Sequence, residues 1–253
     1  MGRMTETVKV LLIINVIFFI GSQLLGQQAY EYFALWFVKN PNFQVWQIVT
    51  HMFMHGGFMH ILFNMYALWA FGSPIEQMLG QKRFLIFYFG AGIGAAFLHT
   101  LVNFYAYQNG ANELLGIGYT PAEVADFLQE AARSAAATGQ YSYPSGLDAD
   151  AIGSMVESYA TPAVGASGAI YGILVAFGMM FPNVQLFLLF VPVPIKAKYF
   201  IPGLIALDLF SGVTGYSIFG GSIAHFAHIG GALFGFLMMY YWKKNQFNDN
   251  RWY

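Results

Sequence analysis

Six stretches of this chain are almost continuously apolar: residues 8–26, 58–76, 84–106, 165–181, 200–216 and 224–242. Each approaches the ~20 residues that a helix needs to cross a bilayer, so the pattern predicts six membrane-spanning helices. The fourth and fifth are the shortest. The first has the place of a secretory signal, but its apolar run is long and no small-x-small cleavage site follows, so it reads as a span. Residues 27–57 fit neither a span nor a solvated loop. They carry Tyr30, Tyr32, Phe33, Trp36, Phe37, Phe43 and Trp46 among Glu31, Lys39 and Pro41, and an interfacial structure lying among the headgroups is expected. Residues 107–162 form a polar insertion between spans three and four. Within it, Thr120-Pro121-Ala122-Glu123 has the form of a capping box with proline at the first helical position. Val124, Phe127, Leu128 and Ala131 continue at helical spacing, so an amphipathic helix is expected there and a second from Asp148. The connections 77–83, 182–199 and 217–223 are short. The whole chain, 1–253, reads as one membrane domain.

Composition agrees with the pattern. The chain is 57% hydrophobic and 9% charged, against about 25% charged in soluble domains. Its net charge of −1 provides no field for nucleic acid. It has no cysteine, which excludes disulfides, thiolate catalysis and cysteine metal sites. Charge also sets the orientation. With six spans and the N-terminus inside, Arg3, Lys9, Lys82, Arg83, Lys196, Lys198, Lys243, Lys244 and Arg251 are cytoplasmic, and only Lys39 and Arg133 lie outside. That asymmetry follows the positive-inside rule. The expected fold is therefore an all-α membrane protein with six transmembrane helices and both termini cytoplasmic. The expected location is a plasma membrane, of the bacterial inner-membrane kind.

Polar residues inside a bilayer are expensive and mark candidate functional positions. Here they gather in one layer. His60 and Asn64 lie in span two, Ser167 and Tyr171 in span four, His225 and His228 in span six. These even-numbered spans all run from outside to inside, and the residues sit in their outer parts. Each of the first two pairs is spaced i,i+4 and shares a helix face. Gly165, Gly168 and Gly172 surround Ser167, and Gly231 and Gly235 follow His228, so small residues allow the two helices to approach closely in lipid. Taken alone, a membrane serine usually bonds back to a carbonyl one turn earlier, and a lone histidine makes one structural bond. Together they suggest a nucleophile and its base, with Ser167 and His228 as the pair. His60, Asn64 and the Ser167 N–H are candidate donors to an oxyanion. Tyr171 is expected to pack on the imidazole and orient it. No acidic residue is expected beside His228, so the pair reads as a dyad.

These residues resemble the rhomboid intramembrane serine proteases over nearly the whole chain apart from the insertion. The run from His51 to Asn64 is similar to that family's second helix with its His-x-x-x-Asn pair. Gly165-Ala166-Ser167-Gly168 with Tyr171 is similar to its nucleophile motif, and Ala227-His228 followed by Gly231 and Gly235 to its sixth helix. The resemblance implies an intramembrane serine endopeptidase without cofactor or metal, with Ser167 as nucleophile and His228 as general base. It implies cleavage of transmembrane protein substrates near their outer ends, with segment 27–57 half submerged and with span five and the 217–223 cap mobile. Two features depart from it. Trp46-Gln47 stands where the family often has Trp-Arg, and the insertion is long.

Several residues stand outside this picture. His51 and His55 have the i,i+4 spacing of metal ligands but no third ligand nearby. His225, one turn before His228, is the less favoured base because the glycines follow His228. His99 and Asp208 are intramembrane and unassigned. A non-proteolytic membrane chaperone or substrate-binding protein on the same fold is the alternative function. A transporter would want polar residues through the whole membrane depth.

Overall fold

In the computed structural model, residues 3–188, 191–216 and 224–245 are described. The expected cap at 217–223 and Arg251, expected to be cytoplasmic, lie outside them. The described chain is predominantly helical, and its first helix, α1 (Glu6–Leu25), covers the first apolar stretch. Glu76 caps it from a distance. Its carboxylate accepts the backbone N–H groups of Thr7 and Val8 at 3.1 and 3.0 Å, together with the Thr5 hydroxyl. A carboxylate there also meets the positive end of the helix dipole.

The segment after α1 packs into a compact structure instead of a loose loop. It contains α2 (Gln27–Phe33), α3 (Gln47–Thr50) and a tight turn over His51–Phe53. Gln47 organises it from a fully buried position. Its amide donates to the carbonyls of Glu31 and Asn42 at 2.9 and 2.8 Å. Its oxygen accepts from the N–H groups of Trp36 and Gln44 at 3.3 and 3.1 Å.

The second apolar stretch folds as α4 (Phe58–Ala67), a π-helical turn over Leu68–Gly72, and α5 (Ser73–Leu79). Pro74 lies just past that turn. Proline has no N–H and its ring crowds the carbonyl of the preceding turn, so a widened turn there accommodates it.

Helix α6 (Gln81–Gly116) is 36 residues long, about 54 Å at helical rise. It continues without a break past 106, where the insertion was expected to begin. The insertion then adds α7 (Pro121–Thr138) and α8 (Ala149–Ala160). Thr120 and Glu123 form the reciprocal capping box, and Asp148 caps α8 through the Asp150 N–H at 2.9 Å. Leu114, Val124, Leu128, Ile152, Met155 and Tyr159 build a second apolar core with Phe37 of the first loop. The Asn40 amide donates to the Tyr159 carbonyl at 2.8 Å, and Lys39 stands 4.3 Å from the centre of the Tyr107 ring.

Helix α9 (Ser167–Met180) is followed by an antiparallel hairpin, β1 (Gln185–Leu188) and β2 (Val191–Lys196), paired Gln185 to Lys196 and Leu186 to Ile195. This hairpin corrects the all-α expectation. Helices α10 (Ala197–Thr214) and α11 (His225–Asn245) complete the described chain. Only α1 and α6 are long and apolar enough among the described helices to pass as membrane spans by length and composition, with α9 a shorter apolar helix. The main core lies among α1, α5, α6 and α9, with Leu11, Ile75, Phe84, Phe87, Tyr88, Ile173 and Phe177 buried in it.

Glycine sets how closely α9 and α11 approach. A Cβ on Gly231 would lie 1.8 Å from the Gly168 carbonyl oxygen, and one on Gly235 would lie 2.5 Å from Gly172 Cα. Backbone meets backbone along this seam, which small residues permit and larger ones do not.

Candidate active site

Ser167 is the first residue of α9. The chain reaches it through the non-helical stretch 161–166, which the Leu35–Ala163 bridge and the Gly165 N–H to His51 carbonyl bond of 2.9 Å hold against the first loop. Gly165 has φ +126°, a conformation that favours glycine. At 14 residues α9 is about 21 Å long, shorter than the ~30 Å hydrocarbon layer. The N–H groups of Ser167, Gly168 and Ala169 occupy the first turn, where no intrahelical acceptor exists.

The close α9–α11 seam brings the serine to a histidine. Ser167 Oγ lies 2.8 Å from His228 Nε2. The Tyr171 ring stacks on His228 with centroids 4.2 Å apart and planes 10° apart. Behind the imidazole, Asp208 of α10 joins the group. Its Oδ1 lies 3.3 Å from His228 Nδ1 and 2.6 Å from His225 Nδ1, and its Oδ2 accepts the Tyr171 hydroxyl. Asp208 is buried. An ionised carboxylate only accepts; bonded to one, His228 would carry its proton on Nδ1 and present the Nε2 lone pair to the serine.

Across the serine stands His60. It accepts the Gly56 N–H at Nδ1, 3.3 Å away, which leaves Nε2 as the protonated nitrogen. A Cβ on Gly165 would lie 2.8 Å from His60 Nε2 and 3.5 Å from Ser167 Oγ. Gly165 thus keeps open the space between imidazole and hydroxyl, and its close neighbour is His60 instead of α11. Asn64 is buried and donates to the His60 carbonyl at 2.8 Å, leaving one amide hydrogen for another acceptor.

A cavity of about 20 Å³ lies behind Ser167, lined by His51, His99, Gly165, Gly168 and Ala227 among others, room for about one water. His51 shares its Nδ1 hydrogen with the Gln47 carbonyl at 2.8 Å, and His99 Nε2 lies 3.1 Å from the Asn103 amide. Burial pushes the His51 imidazole down to about 4. His55 also falls to about 4, through burial first and the neighbouring His60 second.

Three residues stand differently from the sequence expectation. Asp208 stands beside His228, so the pair is not a dyad. The missed signal was its face: Ile201, Asp208 and Ser211 form the buried stripe of α10, while Leu207, Leu209, Phe210 and Val213 are exposed. His225, set aside as a competing base, makes the shorter bond to the same carboxylate. Gln47 was noted only as a departure, yet it holds the first loop.

Comparison with known proteins adds the remaining findings. The Rhomboid domain family matches residues 42–129 and 131–245. A mouse (Mus musculus) protein, "Presenilin-associated rhomboid-like protein, mitochondrial", is 28% identical over 219 residues, 83% of this chain and 44% of its own length. Its human (Homo sapiens) counterpart is 28% identical over 219 residues, 83% of this chain and 43% of its own length. A zebrafish (Danio rerio) protein, "Presenilin-associated rhomboid-like protein A, mitochondrial", is 26% identical over 224 residues, 85% of this chain and 44% of its own length. The chain spans less than half the length of these curated relatives. They overturn the expected endopeptidase that cleaves transmembrane substrates near their outer ends through a Ser–His dyad. Their names record association and likeness to rhomboids, not a peptidase, and the balance passes to the non-proteolytic alternative. The same names are mitochondrial, which does not support the expected bacterial inner membrane.

Proposed function

This chain belongs to the rhomboid family of membrane proteins, and on that premise we propose that it is a rhomboid-like protein that binds transmembrane segments of other membrane proteins in a chaperone or adaptor role. The observation that carries this reading is the 219-residue match to proteins named for their association with presenilin. Its partners are other transmembrane proteins and the lipid bilayer, with no part for nucleic acid, metal or cofactor. In this reading the chain crosses the membrane six times with both termini cytoplasmic. Segment 27–57 lies in the outer interface, and the 107–162 insertion projects from the outer face. Because the chain has no cysteine, single cysteines at Lys82 and Ala136 provide a clean test of sidedness. A membrane-impermeant maleimide is expected to label them from opposite faces.

Binding is tested with photo-crosslinking residues at Phe63 on α4 and Leu207 on α10, both exposed, in nanodiscs that also hold a panel of single-span proteins. Crosslinks to some natural spans, well above those to a polyleucine helix, are expected. Equal crosslinking to every helix would mean that the chain recognises no transmembrane segment.

One observation favours a second reading of the same centre, that of a serine-hydrolase-type group. Ser167 and His228 are 2.8 Å apart with Asp208 behind, the arrangement that activates a hydroxyl as a nucleophile. Ser167 is then the reactive atom, His228 its base and Tyr171 the packing partner. His60, Asn64 and the Ser167 N–H are the donors to an oxyanion. A fluorophosphonate probe tests this directly: labelling is expected on Ser167 and is expected to vanish in Ser167→Ala and His228→Ala. Labelling that survives Ser167→Ala would exclude it.

A further inference from the structure

Asp208 is a single carboxylate claimed by three side chains from two other helices. Tyr171 of α9 takes Oδ2, while His225 and His228 of α11 share Oδ1. These are the titratable groups that face it. The two histidine bonds are unequal. His225 Nδ1 at 2.6 Å is close to the length of a good charge-assisted bond. His228 Nδ1 at 3.3 Å is beyond it. The group that faces Ser167 therefore receives the weaker share of its own orienting carboxylate.

We propose that Asp208 is the positioning residue for His228 and that His225 restrains the serine centre by competing for the same oxygen. This rests on the second reading above, that Ser167 is chemically reactive, and it assigns the regulation of that site. The physical chain is short. A carboxylate at Nδ1 fixes the tautomer whose Nε2 accepts the Ser167 proton. Drawing the carboxylate toward His225 loosens that hold. Removing His225 frees Oδ1 to close on His228, while removing the carboxylate releases the imidazole to the other tautomer. Substitutions at two neighbouring positions thus act in opposite directions.

The test follows the rate of fluorophosphonate labelling in the full chain. Ser167 Oγ forms the bond to phosphorus, fluoride leaves, and the serine proton passes to His228 Nε2. Asp208→Asn is expected to slow labelling by about tenfold or more, because the asparagine amide can donate toward Nδ1 and favour the wrong tautomer. His225→Ala is expected to speed it by about threefold. His225→Asn, which keeps a donor at the position of Nδ1, is expected to restore the parent rate. A structural role alone would slow every variant together.

A second measurement does not depend on reactivity. The ¹⁵N spectrum of labelled histidine is expected to show His228 as the Nδ1–H tautomer in the parent and as the Nε2–H form in Asp208→Asn. If the parent does not label at all, the reactive-serine reading fails and the spectrum alone decides the role of Asp208. A parent His228 in the Nε2–H form, or equal labelling in parent and Asp208→Asn, would overturn the proposal. So would slowing by His225→Ala. The parent spectrum keeps the test decisive even if Asp208→Asn does not fold.

Discussion

Gln47→Leu removes the polar end of one side chain at nearly constant volume, and the structure sets the cost. Gln47 is fully buried and serves four backbone groups: the carbonyls of Glu31 and Asn42, and the N–H groups of Trp36 and Gln44. Each buried group left without its partner costs about 1–3 kcal/mol. The partners sit in a partly buried loop where water can replace some of the bonds, so a total of about 3–5 kcal/mol is expected. For a chain of this size that corresponds to a drop on the order of 10 °C in melting temperature. Tryptophan fluorescence in detergent is the natural assay, since Trp36 and Trp46 lie in the same segment. Gln47→Glu sharpens the test. Its second oxygen would face the Glu31 and Asn42 carbonyls now 2.9 and 2.8 Å from the amide nitrogen. It is expected to destabilise as much as leucine near neutral pH and, relative to the parent at the same pH, to recover partly on acidification, when the carboxyl gains a proton to donate. Melting of Gln47→Leu within about 3 °C of the parent would refute the claim that Gln47 holds the loop. A Gln47→Glu variant that gains nothing on the parent in acid would count equally against it.

The α9–α11 seam is expected to reject even one methyl group. Gly231→Ala would set a Cβ 1.8 Å from the Gly168 carbonyl and is expected to cost about 2 kcal/mol or more by thermal unfolding, whereas Gly203→Ala, with no atom within 4 Å, is expected to be neutral or stabilising by up to about 1 kcal/mol. Stability is expected to fall in acid through His51. Its folded value of about 4 lies below the unfolded ~6.5, so the unfolded chain takes up the proton first. The contribution is whole above ~6.5 and is lost as pH falls from there through 4, by at most about 3 kcal/mol. Melting curves from pH 7 to 4 check this, with a flatter profile expected for His51→Asn. Thr120→Ala removes the cap of α7 and is expected to cost about 1 kcal/mol, seen as faster amide exchange confined to the insertion.

Helical periodicity and terminal chemistry were readable because they are local. The capping box at Thr120 and the start at Asp148 depend on neighbours within four residues, and both helices begin there. The convergence of His60, Ser167 and His228 was readable for a different reason. The i,i+4 spacing of His60 with Asn64 and of Ser167 with Tyr171 put each pair on one helix face, and glycine marks which two helices touch. The hairpin was hidden by Pro192 and Pro194 in β2, because proline argues against a strand except at an edge. The role of Gln47 was hidden because its partners are backbone groups along a path with no periodicity. Asp208 is the instructive case. Depth was judged from the even-numbered spans alone. Asp208 lies on α10, six residues or about 9 Å before its end at Thr214, which in the six-span reading is the depth of the same layer. Its face was also available: a carboxylate in step with Ile201, on the stripe away from the exposed Leu207 and Leu209, points into the protein. A charge in a bilayer forces a partner, so the face that buries it leads to the residues that hold it. For Asp208 that search ends at Tyr171, His225 and His228.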